Sequence, residues 1–481
     1  MNIQAVFFDM GGTIETYGYT TQLRIKATSG LQKILFSSGM DLHLSDEHLY
    51  KVVTDGLKRY HSWSLLNLEE KTPQVVWRDY ILAGFAVNKE TLDTISEELM
   101  LFIETEYYYR DIRPEVPSVL KTIHNMGYKI GIISNVNSKG QVPTNLKKYG
   151  IIDYFVPIVL SSEYGRRKPD PAIFHYAARL ADVPTSKCLF IGDRISRDVV
   201  GAKKAGFGMA VQIRHNFDHG EDDSGAAPDA VISSMDELVE ILKMDANSTQ
   251  IPPLRGQQVQ ALIFDAGDIL YYRPSRGQYF QKFLTTNNLS NIDISESSLK
   301  ELKRKAFNGL LTQDQRREMI LKMYGVKDPL LVEKGYQALE QDDNNVVFFE
   351  GVRDTLISLK DRGFLLGIIT DTANPVHVKL KWFERGGFGH VWDSIISSQE
   401  LGMEKPHPHI YAAALKQLGV NVNQAVFVGH CPSELDGARA VGLKTIAFNP
   451  DEGAKADQFI ENFSDLLNVP FISSTVEEIN K

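Results

Sequence analysis

The sequence has 481 residues, of which 43% are hydrophobic, 23% charged and 10% aromatic. This composition is ordinary for a globular protein and excludes disordered or collagen-like chains, and the length predicts about three domains at ~150 residues each. The net charge of −9 argues against nucleic acid and anionic membranes as partners. The two cysteines, Cys188 and Cys431, are too few and too far apart for a disulfide framework.

The N-terminal segment is not typical of a secretory signal. Its apolar run, residues 5–8, is short and ends at Asp9, which predicts a buried strand entering a loop. No apolar stretch approaches the ~20 residues that cross a bilayer. We therefore expect a cytoplasmic protein.

The chain contains an internal repeat. The segment Ala5–Ile14 returns as Ala261–Leu270, 256 positions later. Three further blocks recur in the same order 236 or 237 positions later: 127–135 with 363–371, 168–174 with 405–411, and 188–206 with 425–442. The order and spacing indicate a tandem duplication.

Each copy is predicted to be an α/β core that carries a helical cap. Short Val/Ile/Phe runs alternate with helical segments, which is typical of a doubly wound parallel sheet covered on both faces. Residues of about 20–107 and 276–346 have apolar positions at helical spacing and interrupt each core. The Pro- and Gly-containing stretch 247–256 reads as a linker, so we expect one domain over 1–245 and a second over 257–481.

Polar residues follow the predicted strands of the first copy. Asp9, Ser134 with Asn135, Asp193 and then Asp198 stand at or just after strand ends, and a further block begins with Lys168. Ligands of doubly wound sheets bind beyond the carboxyl ends of the strands. Carboxylates suit Mg²⁺, while lysine, a hydroxyl and loop N–H groups suit a phosphoryl group.

This ordered set resembles the four motifs of the haloacid dehalogenase superfamily of hydrolases, with Rossmann-like cores, in both copies. The resemblance implies that Asp9 attacks phosphorus and forms an aspartyl-phosphate, with Ser134 and Lys168 as the other catalytic residues. It further implies Mg²⁺ in the first copy, bound by Asp9, the Gly11 carbonyl, Asp193 and Asp198. Gly12, Thr13 and Asn135 are then expected to bind substrate.

The sequence departs from the family at Gly11. Phosphatases of the family carry an aspartate there, the general acid that protonates the leaving group, and such help is worth ~10²–10⁴-fold. We expect slow turnover of alkyl phosphates unless the leaving group is stable or a cap residue replaces the acid. Glu15, Tyr17 and Tyr19 are close enough in sequence to reach inward, although a solvent-facing hairpin carboxylate is the simpler interpretation of Glu15.

Two alternatives remain open for the first copy. One is hydrolysis at carbon, as in relatives that act on haloacids or phosphonoacetaldehyde and also lack this aspartate. The phosphonate reaction needs a lysine in the cap as the nucleophile. The cap lysines Lys26, Lys51 and Lys58 are expected to be solvated, which argues against that reaction. The other is a catalytically weak module that binds a ligand for regulation. Because both Asp193 and Asp198 are present, we favour Mg²⁺-dependent phosphoryl hydrolysis or transfer on a small phosphorylated or otherwise activated metabolite.

The second copy lacks several of the family's motif residues. Gly267, Asp268, Ile269 and His430 replace motif residues of the family. A decayed pocket in which Lys405 pairs with Asp265 is the favoured interpretation, and no cofactor is assigned to it. A metal bound by His430, with His407 and His409 nearby, or a thiol nucleophile at Cys431 are weaker alternatives. The residues of this degenerate second site are Asp265, Thr370, Lys405, His430 and Glu434.

Overall fold

The computed structural model describes residues 3–214, 225–248, 259–289 and 294–477. The chain divides into two compact units, Met1–Ile251 and Pro252–Lys481. Most of the predicted linker lies outside the described residues, so the predicted domain limits stay a prediction. None of the described helices combines the length and apolar character that crossing a bilayer requires.

The first unit is built on a parallel sheet. Its strands are β1 (Ala5–Phe8), β2 (Glu15–Gly18), β3 (Tyr109–Ile112), β4 (Lys129–Ser134), β5 (Ile158–Leu160), β6 (Cys188–Gly192), β7 (Met209–Ile213) and β8 (Ala230–Ile232). Six of them form one sheet in the order β5-β4-β1-β6-β7-β8, with every neighbouring pair parallel. The doubly wound α/β fold predicted from the sequence is confirmed.

Helices cover both faces of this sheet. They are α1 (Thr21–Ser37), α2 (Asp46–Asn67), α3 (Pro73–Val75), α4 (Lys89–Glu106), α5 (Val116–Asn125), α6 (Gln141–Lys148), α7 (Ser161–Tyr164), α8 (Pro171–Ala181), α9 (Val200–Lys204) and α10 (Asp236–Ser248). Single helical turns add Val76–Ile81 and Ile195–Val199, which are π-helical, and Ile152–Tyr154 and Thr185–Lys187, which are 3-10.

The core of the first unit follows the two-residue period of its strands. In β1, Val6 and Phe8 pack on one face of the sheet, while Ala5 and Phe7 pack on the other. Both faces are buried, which explains why the strands read as continuous apolar runs. Cys188 is buried in the second of these clusters, as expected.

The cap of the first unit, α1 to α4, is inserted between β2 and β3, which pair antiparallel. Thr20, Ser45 and Asn88 begin α1, α2 and α4 by accepting a hydrogen bond from the backbone three residues on, which satisfies amides that have no partner inside the helix. The cap has its own core around Trp77 and Tyr60, both 0% exposed. These aromatic residues therefore stabilise the cap instead of lining a pocket.

The second unit repeats the same topology. Its strands are β9 (Ala261–Asp265), β10 (Tyr271–Tyr272), β11 (Val347–Phe348), β12 (Leu365–Thr370), β13 (Ser394–Ser397), β14 (Ala425–Gly429), β15 (Lys444–Phe448) and β16 (Gln458–Ile460). The six-stranded order is β13-β12-β9-β14-β15-β16, again parallel throughout. Strand for strand this equals the order in the first unit, which supports the duplication.

The helices of the second unit also match. They are α11 (Gln278–Thr286), α12 (Glu296–Phe307), α13 (Gln313–Met323), α14 (Pro329–Asn344), α15 (Val352–Asp361), α16 (Val376–Arg385), α17 (Ser398–Leu401), α18 (Pro408–Leu418), α19 (Pro432–Val441) and α20 (Pro470–Glu477). Three 3-10 turns lie at Gly389–Val391, Val422–Gln424 and Phe463–Asn468. The cap comprises α11 to α14 between β10 and β11, which pair antiparallel.

His175 gives the first unit a pH-dependent stability. This side chain of α8 is 3% exposed, and neither ring nitrogen has a hydrogen-bond partner. Burial lowers the pKa of His175 to about 3. Since the unfolded chain then binds the proton first, stability is complete above the unfolded pKa of about 6.5 and falls as the pH drops below it.

Between about pH 7 and pH 5.5, His175 should cost the wild type about 1 kcal/mol of its free energy of unfolding. We expect His175→Leu to abolish this part of the loss. Urea unfolding followed by circular dichroism at both pH values measures the difference. The exposed His124 of α5 provides the control, and His124→Leu should keep the wild-type difference. Equal pH dependence in wild type and His175→Leu would contradict the prediction.

Candidate active site

The polar residues predicted from the first copy meet at one edge of its sheet. Asp9 follows β1, Ser134 ends β4, and Asp193 follows β6, and β1 lies between the other two strands. Parallel strands end at the same edge, so these side chains converge. Asp9, Ser134 and Asp193 are 2%, 3% and 4% exposed, which makes this a buried polar cluster.

Lys168 reaches the centre of the cluster from the loop before α8. Its Nζ lies 2.8 Å from Asp9 Oδ1 and 2.8 Å from Asp198 Oδ1. The Lys168 side chain is fully buried, and a buried ammonium needs such partners because removal from water costs several kcal/mol. The structure thus brings together four of the predicted residues: Asp9, Lys168, Asp193 and Asp198.

Arg197 is a member of the cluster that sequence reasoning missed. One of its terminal nitrogens lies 2.8 Å from Asp9 Oδ2 and 3.1 Å from Asp193 Oδ1, and its Nε lies 3.3 Å from Asp198 Oδ1. The guanidinium therefore contacts all three carboxylates. A signal was present, because Arg197 directly precedes Asp198 and follows Asp193 by four residues on a helical turn.

The cations act differently on the two buried acids. Burial raises the pKa of the Asp9 carboxyl, and the nearby Lys168 and Arg197 offset this only in part. Burial also opposes ionisation of Asp198, but Arg197 and Lys168 outweigh it and lower the pKa of this carboxyl. Asp198 is thus held as a carboxylate, whereas at Asp9 burial outweighs the neighbouring cations and opposes ionisation.

The donor set fits a hard divalent cation. Asp9, Asp193 and Asp198 each present an oxygen, and these atoms lie within 4.8 Å of one another. In the part of the chain that the structure describes, no other group of three acidic, histidine or cysteine side chains is so arranged. Clustered carboxylate oxygens are the ligands that Mg²⁺ prefers.

Asn135 holds the lysine loop in place. Its Nδ2 donates to the Lys168 carbonyl at 3.0 Å, and its Oδ1 accepts from the Lys168 backbone N–H at 2.8 Å. The side chain that was predicted to bind substrate is thereby engaged with the chain itself. The Asn135 side chain can therefore donate only its second amide hydrogen to a ligand.

The strand ends of the second unit also meet, with a different chemistry. Lys405 Nζ lies 2.5 Å from Asp265 Oδ1 and 3.1 Å from Glu434 Oε2, so the predicted pairing of Lys405 with Asp265 is present. His430 Nε2 lies 3.6 Å from Asp265. Thr370, which ends β12, is 1% exposed. These residues do not form a triple cluster of metal ligands among the described residues.

The other candidates of the second unit have local contacts. His407 caps α18 by accepting from the His409 backbone N–H, and both side chains are exposed. Cys431 Sγ lies 3.2 Å from Ser433 Oγ. None of these contacts involves His430.

Comparison with known proteins agrees with this architecture. Residues 3–206 match a family profile described as haloacid dehalogenase-like hydrolase, and residues 289–448 match a second profile of the same description. The two matches cover most of the chain. The chain belongs to the haloacid dehalogenase-like hydrolases.

Similar proteins include phosphatases and a dehalogenase of this family. Glyceraldehyde 3-phosphate phosphatase from Methanopyrus kandleri is 27% identical over 50% of this chain and 97% of its own length. Phosphoglycolate phosphatase from Vibrio vulnificus is 29% identical over 34% of this chain and 72% of its length. The crystal structure of 2-haloacid dehalogenase from Pseudomonas syringae aligns with a TM-score of 0.36 at 22% identity, over 45% of this chain and 99% of that one.

An aromatic ring lies where this haloacid dehalogenase-like hydrolase lacks the family acid. A Cβ added at Gly11 would lie 3.3 Å from Cε1 of Tyr17, so the Tyr17 ring occupies the space beside Gly11. The next residue, Gly12, has φ +83°, and a Cβ there would lie 2.5 Å from Asp193 Oδ2. Only glycine fits at Gly12 without moving Asp193. Thr13 Oγ1 is buried without a hydrogen-bond partner.

The simpler interpretation of Glu15, a carboxylate that faces solvent, is wrong. Its side chain is fully buried and pairs with Arg110, while its Oε2 accepts from Asn145 Nδ2 at 2.9 Å and from the Tyr149 hydroxyl at 2.8 Å. The register of β2 with β3 pairs Glu15 with Ile112 and Tyr17 with Arg110. Arg110 therefore lies diagonally across from Glu15 on the neighbouring strand, within reach of its carboxylate. Its carboxylate is thus committed to a structural network. The three cap lysines Lys26, Lys51 and Lys58 are exposed, as expected.

We expect Arg197→Gln to lower the free energy of unfolding by about 3 kcal/mol, because it leaves three buried carboxylates with one cation fewer. Denaturant unfolding in the presence of a chelator measures this. The control is Arg78→Gln in the cap, since Arg78 is 30% exposed like Arg197 but pairs with half-exposed acids. Such surface pairs are worth about 0.5 kcal/mol. Equal losses in the two variants would contradict the prediction.

Proposed function

We propose that the first unit is a Mg²⁺-dependent phosphohydrolase that acts on a small phosphorylated metabolite through Asp9. The observation that carries the proposal is the position of the Asp9 carboxylate. It stands at the end of the central strand, with one oxygen 2.8 Å from Lys168 and the other 2.8 Å from Arg197. The names of the relatives, which are phosphatases of glyceraldehyde 3-phosphate and of phosphoglycolate, support a small phosphate ester as substrate.

The reaction has two displacements at phosphorus. One Asp9 oxygen attacks, the bond from phosphorus to the leaving oxygen breaks, and Asp9 carries the phosphoryl group as an acyl phosphate. A water molecule then attacks phosphorus, loses a proton to solvent, and the bond to Asp9 breaks to release inorganic phosphate. Lys168, together with Ser134, would hold phosphoryl oxygens during both steps.

Asp9, Asp193 and Asp198, with the Gly11 carbonyl, would hold the Mg²⁺ ion. When bound, the ion supplies positive charge that offsets the carboxylates and the phosphoryl oxygens. Arg197 contacts the same three carboxylates, so the guanidinium and the ion share one set of ligand atoms. Arg197 would help to hold Asp198 as a carboxylate before the ion arrives.

The leaving group decides the rate in this proposal. The family acid is replaced by Gly11, and the adjacent space is filled by the Tyr17 ring. Without a positioned acid, departure is fast only for a leaving group that is stable as an anion. We infer that acyl and aryl phosphates are better substrates than alkyl phosphates, and that the second unit supports or regulates the first.

We expect hydrolysis of acetyl phosphate and p-nitrophenyl phosphate with Mg²⁺, and a loss of at least about 10³-fold in kcat for Asp9→Asn, because the nucleophile is removed. Release of inorganic phosphate measures both. The duplication provides a matched control: Asp265→Asn changes the equivalent aspartate of the second unit and should retain the activity.

Two outcomes would overturn the assignment. Equal rates in wild type and Asp9→Asn would exclude Asp9 as the nucleophile. Full activity on 2-chloropropionate in excess chelator, without phosphatase activity, would favour the alternative in which Asp9 displaces halide from carbon and water cleaves the resulting ester.

Restoring the acid tests the role of the leaving group. The Tyr17 ring lies against Gly11, so an aspartate there has little room. We therefore expect Gly11→Asp to restore the general acid fully only when it is combined with Tyr17→Ser. The double variant should hydrolyse glycerol phosphate about 10²-fold faster than Tyr17→Ser alone, with little gain on p-nitrophenyl phosphate. The same gain on both substrates would show that proton transfer to the leaving group does not limit the rate.

A further inference from the structure

The second unit contains a cavity of about 530 Å³ between its strand ends and its cap. The strand ends contribute Asp265, Thr370 and Lys405, while the cap contributes Phe280, Phe307 and Leu339. A volume of this size is typical of sites for small molecules. The lining combines these apolar side chains of the cap with charged side chains of both signs.

Six lysine and arginine side chains and six acidic side chains line this cavity, and four of the cations have no acidic partner. Lys405 pairs with Asp265, and Arg276 pairs with Asp268 at 2.7 Å. Among the described residues, no carboxylate oxygen lies within 4.0 Å of a charged nitrogen of the other four. These four, called here the cationic group, are Arg273, Lys303, Arg316 and Lys379.

Lys379 is the most constrained member of the cationic group. It is 4% exposed, and its Nζ donates to the Tyr271 hydroxyl at 2.8 Å. The Tyr271 and Trp382 rings lie beside the ammonium, with centroids at 5.4 and 5.7 Å. A buried cation with neutral partners is costly, and an anion in the cavity would supply the missing charge.

The arginines leave donor capacity unused. Arg273 donates to the Asp343 carbonyl at 3.1 Å, and Arg316 donates to Gln313 Oε1 at 3.3 Å. Arg316 Nε is buried without a partner. Guanidinium groups with free N–H pairs recognise carboxylate and phosphate oxygens.

The acids at the strand ends do not cancel this charge. Burial raises the pKa of Glu434 to about 7 and that of Asp371 to about 6. Burial thus opposes the negative charge of both groups. Lys303, Arg316, Arg276 and Arg273 line the same cavity. Burial and these arginines lower the pKa of Lys303, although Glu404 acts in the opposite direction.

We propose that this cavity binds a small organic polyanion, with two or more phosphate or carboxylate charges and an apolar part, and releases it unchanged. The cationic group holds the oxyanion, while Phe280, Phe307 and Leu339 contact the apolar part. The site lies in the second unit and does not depend on the reaction proposed for Asp9. The second unit is then an anion receptor built on the scaffold of a hydrolase.

The test is isothermal titration calorimetry of the full chain with phenylphosphonate and with isophthalate, in chelator. Each probe carries two negative charges on one aromatic ring, and the pair compares phosphonate with carboxylate chemistry. We expect one site per chain for at least one probe, with affinity that falls as salt is added. Lys379→Met and Arg316→Gln should each weaken binding by about tenfold or more.

Matched variants locate the site. Arg304→Gln lies in the same cap helix as Lys303 but outside the cavity, and pairs with Glu301, so it should bind like wild type. Arg78→Gln, in the cap of the first unit, should also bind like wild type. If Lys379→Met does not fold, Arg316→Gln decides, because its side chain is only half-buried.

Three outcomes would overturn the proposal. They are absence of binding of both probes at millimolar concentration, unchanged affinity in Arg316→Gln, and an equal loss of affinity in Arg304→Gln and Arg316→Gln. Failure of the phosphatase assays would not change these results, since no turnover at Asp9 is needed for binding.

Discussion

In both units the central strand ends in an aspartate that is buried with a lysine. Asp9 pairs with Lys168 and Asp265 pairs with Lys405, at 2.8 and 2.5 Å. Taking either charge out of water alone would cost several kcal/mol, so each holds the other in place. The lysine stands on a loop far along the chain, and the pair therefore ties this loop to the sheet.

A second contact supports the same pair in each unit. The residue after the neighbouring strand accepts a hydrogen bond from the lysine backbone N–H, through Asn135 Oδ1 in the first unit and Asp371 Oδ1 in the second. The backbone of the loop and the charge on its side chain are thus fixed together. This arrangement survived the duplication although other residues around it changed.

The two units have diverged in what surrounds the pair. The first adds Asp193, Asp198 and Arg197 and forms a compact cluster of acids with two cations. The second has His430 and Glu434 at the corresponding positions and a cavity in which four cations have no acidic partner. One scaffold thereby carries an acidic centre that fits a metal ion and a pocket whose unpaired cations fit the anion we propose. The buried aspartate and lysine are common to both.

The sequence alone was sufficient to predict the repeat, the parallel α/β cores and the inserted caps. It also predicted that Asp9, Lys168, Asp193 and Asp198 converge. Apolar periodicity reports which segments are strands, and the ends of parallel strands must meet at one edge. Tertiary structure decided the partners. Glu15 is buried against Arg110, 95 positions away, and Arg197 bridges three acids. Periodicity shows which face a side chain lies on, but its partner depends on which distant segment packs against that face and on how strongly burial favours a counter-charge.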